Sequence, residues 1–336
     1  MATSKPARRR TVLPAISSRA WEHPADKGAL VALRRLKGFD AMLKTMSSLV
    51  SERQMRLILL GSAVRVSERQ FPEVHRLLTD VGTVLDAAEL PEVYVVADPT
   101  LNARTIGLNR PIIVLNSALV DLLDTDELRF VIGHELGHAL SGHAVYRTLL
   151  DRMLSLAAVF SLLPGGLLGV RVIMAGLMEW SRKSELSADR AGLLACQDPA
   201  AATRVHMKFA SGGDLEQLDT TEFLAQAAEY ADTEDLRDSV LKALLTETRT
   251  HPFAVMRARE LRTWVDGGAY TDILGGTYPR RNDDDSASVS EAAQEAAASY
   301  SEALGRAQDA LGRLLHEAAG VVGSARIWLD DKLRRD

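Results

Sequence analysis

The chain of 336 residues contains a single cysteine, Cys196. One thiol cannot build an intrachain disulfide framework or a zinc cluster held by cysteines. A reducing compartment fits. Aromatic residues are sparse at 5%, and basic residues are not in excess, the formal net charge being -5. A nucleic-acid binder would usually show a strongly basic face, so no nucleic-acid partner is expected. A clean apolar run long enough for a membrane span is also missing. The uncharged stretch MLSLAAVFSLLPGGLLGV, residues 153–170, is near the lower length limit for a span. Pro164, Gly165 and Gly166 interrupt it. It reads as two buried helical pieces joined by a turn, with a re-entrant or membrane-surface hairpin left open. No apolar core follows the basic start MATSKPARRR, so no signal peptide is expected. The expected location is cytoplasmic, with peripheral membrane contact left open.

What is present suits a globular protein. Hydrophobic residues make up 46% and charged residues 25%, enough apolar mass for a sizeable core. Residues 1–27 read as a flexible tail. Residues 28–88 read as helical, with Leu33, Leu36, Phe39 and Leu43, then Leu57, Leu60 and Val64, at helical spacing. Val93 to Val96 and Ile112 to Asn116 are short β-forming runs, with a linking strand over Asn102 to Gly107. The edge of that sheet, around Asn102 to Gly107, would be open to the addition of an extended strand. More helices follow to about residue 265. The main domain is expected to span 28–278. Residues 279–291 read as a linker, and 292–336 as an amphipathic helix with Leu304, Leu311, Leu314 and Trp328 on heptad-like spacing. This makes the fold class α+β, predominantly helical, with a small sheet before the helix that carries the chemistry.

That helix holds His134-Glu135-Leu136-Gly137-His138. Residues four apart lie one turn apart on one helix face, so both imidazoles reach one ion. Glu135 sits roughly 100° around the helix, flanking the ion, where a base would take a proton from a metal-activated water. The helix start is marked by Asp124 or Thr125 as N-cap, and its end is expected near Val145. His143, nine positions after His134, falls about half a turn away on a continuous helix and reads as a surface or packing histidine, unless Gly142 breaks the helix before it. A catalytic zinc needs a third protein ligand. Glu185 and Asp189 lie four apart in the next long helix. Glu185 can bind the ion, and Asp189 can hold the other nitrogen of a ligand histidine. A solvated helix face, with Arg182, Lys183 and Arg190 pairing these acids, is the bland alternative.

HELGH, followed some fifty residues later by SELSADRAG, resembles the HtpX and CAAX-prenyl-protease group of gluzincin zinc metallopeptidases. The likeness spans roughly residues 80 to 265. It takes in Val93-Tyr94-Val95, Asn102-Ala103, Pro111 to Leu123, and His251-Pro252 with Arg257. The resemblance implies one Zn2+ per chain, held by His134, His138 and Glu185. Glu135 is then the base and Asp189 the acid behind a ligand histidine. His251 would lie near the active site, stabilising an oxyanion or entering the open metal position; Pro252 equally suits a plain helix start. Arg257 would make supporting ion pairs. The implied reaction is hydrolysis of peptide bonds in a protein or peptide substrate. Integral-membrane members carry clear spans that this chain lacks between its two motifs, so the likeness is to soluble or peripheral members.

Two rivals remain at this level. One is a non-proteolytic zinc protein, structural or chaperone-like, with His251 closing the site. The other is a latent protease shut by the same histidine. A membrane surface or a protein partner is a further option, through the C-terminal helix or residues 153–178.

Overall fold

The computed structural model of the chain describes residues 9–36, 39–48, 50–155, 167–213, 215–232, 253–285 and 287–302. The elements are α1 (Pro24–Arg35), α2 (Phe39–Ser48), α3 (Glu52–Ser62), β1 (Val64–Arg65), α4 (Pro72–Val84), β2 (Glu92–Val96), β3 (Ala103–Ile106), β4 (Ile112–Asn116) and α5 (Ser117–Leu122). They continue with α6 (Thr125–Leu140), α7 (His143–Ser155), α8 (Leu167–Cys196), α9 (Pro199–Ser211), α10 (Thr220–Asp232), α11 (Ala254–Asp266) and α12 (Ala269–Leu274). The fold is α+β and predominantly helical.

Four strands form one sheet in the order β1-β2-β4-β3. β2 and β4 run parallel, while β1 and β3 are antiparallel to their neighbours. Alternation along the strands gives two buried faces. Val93, Val95, Ile113 and Leu115 join the main core, whereas Tyr94, Ile112 and Val114 pack with Leu59 of α3. β3 is an edge strand, and its Thr105 is turned inward and buried.

α6 starts with a capping box. Asp124 accepts from the backbone of Asp126 and Glu127, and the Glu127 carboxylate accepts from the Asp124 backbone. α6 packs along α8 on a seam of small residues. A Cβ on Gly133 would lie 2.4 Å from the Ala195 Cβ, and one on Gly137 would lie 2.5 Å from the Ala191 Cβ. No larger side chain fits between these helices, so their backbones run unusually close.

Three expectations need correction. Residues from Arg9 onward do not form a flexible tail. Leu13, Ile16 and Trp21 are each 1% exposed, and burying Leu13 and Ile16 stabilises the segment by about 1.5–3 kcal/mol apiece. Backbone bonds tie it to the far end of the domain: Ser17 donates to Pro279, and Arg281 donates to Ala15. Second, Val64 does not continue α3. It pairs with Val95 as part of β1, and Leu57 and Leu60 of α3 are exposed. Third, α6 does not reach Val145. It stops at Leu140, Gly142 takes the left-handed region at φ +71°, and α7 begins at His143.

Residues 291–302 are helical and rest on α1 and α8. Ala293 and Ala297 are buried, the Ala296 Cβ crowds Gly28, and the Tyr300 hydroxyl donates to the Gly176 carbonyl. The heptad positions from Leu304 onward, and residues 156–166 of the apolar stretch, lie outside the described residues. Among the described residues, no helix is long and apolar enough to cross a membrane.

Candidate metal centre

α6 and α8 deliver the histidine pair and the glutamate to one buried point. Ligand atoms of His134, His138 and Glu185 lie within 4.8 Å of one another, and all three residues are buried. The Nε2 atom of His134 is 3.5 Å from Glu185 Oε2, and that of His138 is 3.2 Å from Glu185 Oε1. Two imidazoles and one carboxylate suit a divalent ion such as zinc, and burial of an acid there calls for a cation. A side-chain cation already touches the cluster. Arg147 of α7 donates to Glu185 and lies 3.1 Å from His138 Nε2. A metal on that nitrogen would require the guanidinium to shift away from it.

Glu135 lies beside the cluster, 4.0 Å from His134 Nε2, and is 3% exposed. Burial pushes its carboxyl pKa up, against the pull of His134 and Arg147. Thr105 on β3 donates to its carboxylate, with 2.6 Å between Thr105 Oγ1 and Glu135 Oε2.

Asp189, one turn beyond Glu185, reaches His134. Its Oδ1 lies 3.0 Å from His134 Nδ1. Burial opposes the charge on Asp189, yet Arg257, His206 and the His134 bond hold its pKa well below the usual carboxylate range. Arg257 of α11 donates from Nε to Asp189 Oδ2 at 2.8 Å and lies 3.3 Å from Glu185 Oε2. His206 of α9 is fully buried, with Nε2 3.4 Å from Asp189 Oδ2. For His134, burial works against protonation, but Asp189 and Glu185 raise its pKa to about 9. For His138, burial and the nearby Arg147 push the pKa well below the ordinary value.

His251 lies outside the described residues. His143 is not on the surface. It is 3% exposed, with Nδ1 3.0 Å from His138 Nδ1. The angular argument assumed one continuous helix, and the turn at Ser141-Gly142 removes that assumption. Glycine just after an apolar helical run is a stop signal, and here it marked the break. Thr105, Arg147 and His206 carry no local signal of their involvement, because each arrives through tertiary packing.

The model of Peptidase family M48 matches residues 68–265, more than half of the chain. The plastoglobule-localized metallopeptidase 48, chloroplastic, of Arabidopsis thaliana is 34% identical over 260 residues, covering 76% of this chain and 74% of that protein. Protease HtpX of Xanthomonas axonopodis pv. citri (strain 306) is 30% identical over 137 residues, covering 40% of this chain and 46% of its own length. A protease HtpX homolog of Helicobacter pylori (strain Shi470) is 37% identical over 97 residues, covering 27% and 29%. The chain thus spans less than half the length of these HtpX proteins. No solved structure matches the chain. The matched stretch contains the whole buried cluster, and the chain belongs to peptidase family M48, as an HtpX-like metallopeptidase that hydrolyses protein or peptide substrates.

Proposed function

We propose that this metallopeptidase is a zinc endopeptidase with one ion per chain, held by His134, His138 and Glu185. The convergence of these three buried side chains beside Glu135 is the observation that carries the reading. When bound, zinc would supply Lewis-acid polarisation of the scissile carbonyl and a lowered pKa for water. Glu135 takes a proton from the attacking water and later passes it to the leaving amine. The upward push on its carboxyl suits a group that must both accept and release a proton. Asp189 holds His134 through Nδ1, and Arg257 keeps that carboxylate charged and in place. Thr105 steadies the Glu135 carboxylate from the edge strand. A peptide added along β3 would pass directly beside that contact.

His251 is proposed to face the cluster as an oxyanion donor. The seating of Arg257 against Asp189 and Glu185, six residues further on, supports this placement. A rise in activity in His251→Ala would instead identify a latent enzyme. Exposed Leu57 and Ile58 on α3, together with a relative named for plastoglobules, support peripheral contact with a lipid surface.

The test is cleavage of casein by zinc-loaded wild type and Glu135→Gln, with zinc content measured in both. The reading requires equal zinc and turnover by the wild type alone. Equal zinc with both proteins inactive on every substrate tried would leave a structural zinc protein.

A further inference from the structure

The two ligand histidines are supported differently. His134 meets a carboxylate directly, through Asp189. His138 meets a second imidazole, and the carboxylate comes after it. The Nε2 atom of His143 lies 3.0 Å from Asp26 Oδ2, and its Nδ1 lies 3.0 Å from His138 Nδ1. Asp26 belongs to α1, which precedes the stretch matched by the family model. We infer that Asp26 and His143 are positioning residues that fix the tautomer and ring orientation of His138 for metal binding. This inference rests on the proposed ligand role of His138.

Proton counting leaves one arrangement. Two ring nitrogens at hydrogen-bond distance need one proton between them. If Nε2 of His138 gives its lone pair to a metal, Nδ1 carries the proton and donates it. His143 Nδ1 must then accept, so the His143 proton sits on Nε2 and is donated to Asp26. The carboxylate can only accept, which makes it the anchor of the chain. Its other bonds leave it no freedom to turn. Asp26 Oδ2 accepts from Ser187 at 2.6 Å, and Oδ1 accepts from the Trp180 indole at 2.8 Å. Both donors are on α8, the helix that carries Glu185. The Trp180 ring also meets the His143 ring edge-on, with centroids 5.6 Å apart. Asp26 is 1% exposed.

Asparagine at position 26 sharpens the test. Trp180 is an obligate donor, so the amide oxygen must face it and the amide NH2 must face His143. His143 would then accept at Nε2 and donate at Nδ1. His138 would be driven to carry its proton on Nε2, the atom a metal needs. Losing a partner behind a ligand histidine typically weakens metal binding about 10–100-fold.

The experiment is zinc affinity, measured by competition with a chromophoric chelator, on full-length wild type, Asp26→Asn, His143→Leu and His143→Asn. Zinc stoichiometry at saturation and circular dichroism are recorded for each. Asp26→Asn and His143→Leu are expected to lose about 10–100-fold in affinity while still taking one zinc. His143→Asn keeps an acceptor oxygen near the Nδ1 position and is expected to recover part of the loss, which mere packing at this position would not produce. Affinities of Asp26→Asn and His143→Leu within about twofold of wild type would overturn the relay and leave the ligand assignment intact. If Asp26→Asn does not fold, the comparison at position 143 decides: equal affinity of the asparagine and leucine variants overturns the relay. A wild type that takes up no zinc would instead bring down the ligand assignment, and the relay with it.

Discussion

The hydroxyl of Thr105 lies 2.6 Å from Glu135 Oε2 and 2.9 Å from the Glu135 carbonyl oxygen. An edge strand and the helix that carries the proposed base are thus joined at one side chain. Thr105→Val keeps the shape and removes the donor. Loss of a buried bond to a carboxylate costs about 1.5–3 kcal/mol. A drop in kcat of about tenfold or more is expected, with zinc content unchanged. Steady-state kinetics beside metal analysis checks it, and an unaltered kcat would remove Thr105 from the mechanism.

Arg257 is 6% exposed and serves two acids at once, Asp189 and Glu185. Arg257→Met leaves both carboxylates short of a buried cation. Breaking a buried ion pair from one side typically costs about 3–5 kcal/mol. Urea unfolding should show a loss of that size, and added zinc should restore part of it by neutralising Glu185.

The seam between α6 and α8 predicts a coupled pair. Gly137→Ala places a methyl 2.5 Å from the Ala191 Cβ, and neither group can swing aside. Overpacking of this kind costs about 1–3 kcal/mol. Ala191→Gly in the same chain removes the opposing methyl. The double variant is therefore expected to be more stable than Gly137→Ala alone, and a thermodynamic cycle on the four proteins measures the coupling.

Cys196 is fully buried, and burial pushes its thiol pKa up to about 12. The thiolate is therefore scarce at neutral pH, and the sulfur lies out of reach of solvent. A disulfide reagent should therefore leave the native chain unlabelled and react at once in denaturant. Labelling in native buffer then reports opening of the core around α8.

Much of the centre was legible. His134, Glu135 and His138 announce themselves by helical spacing, and Asp124 with Glu127 marks where their helix starts. Glu185 and Asp189 lie at the same four-residue interval, on a helix whose extent could be read within a few residues. What could not be read came from long range. Asp26 lies more than a hundred residues from His143, in a segment with little periodicity, so its burial is invisible locally. β1 is two residues long and too short to leave a pattern. In the sequence His143 reads as a surface or packing histidine; it is buried, and its contact with His138 stays hidden because one glycine changes the direction of the chain.

Ile16 and Arg280 form a bridge between the two ends of the described domain, flanked by the bonds Ser17–Pro279 and Arg281–Ala15. Ribosomes deliver the chain in one direction, and domains fold as units as they emerge. The segment around Ile16 is made first, but its partner emerges only after every residue of the candidate metal centre. On either side of it, Arg10 reaches Asp126 of α6, Trp21 reaches Ser141 just past the end of α6, and Asp26 reaches Trp180 of α8. The last fastening of this belt is therefore a late event in biosynthesis, and a ribosome stalled before residue 279 would display a chain whose N-terminal strap, held at Val84 and Asp86, still lacks its Pro279–Arg281 anchor.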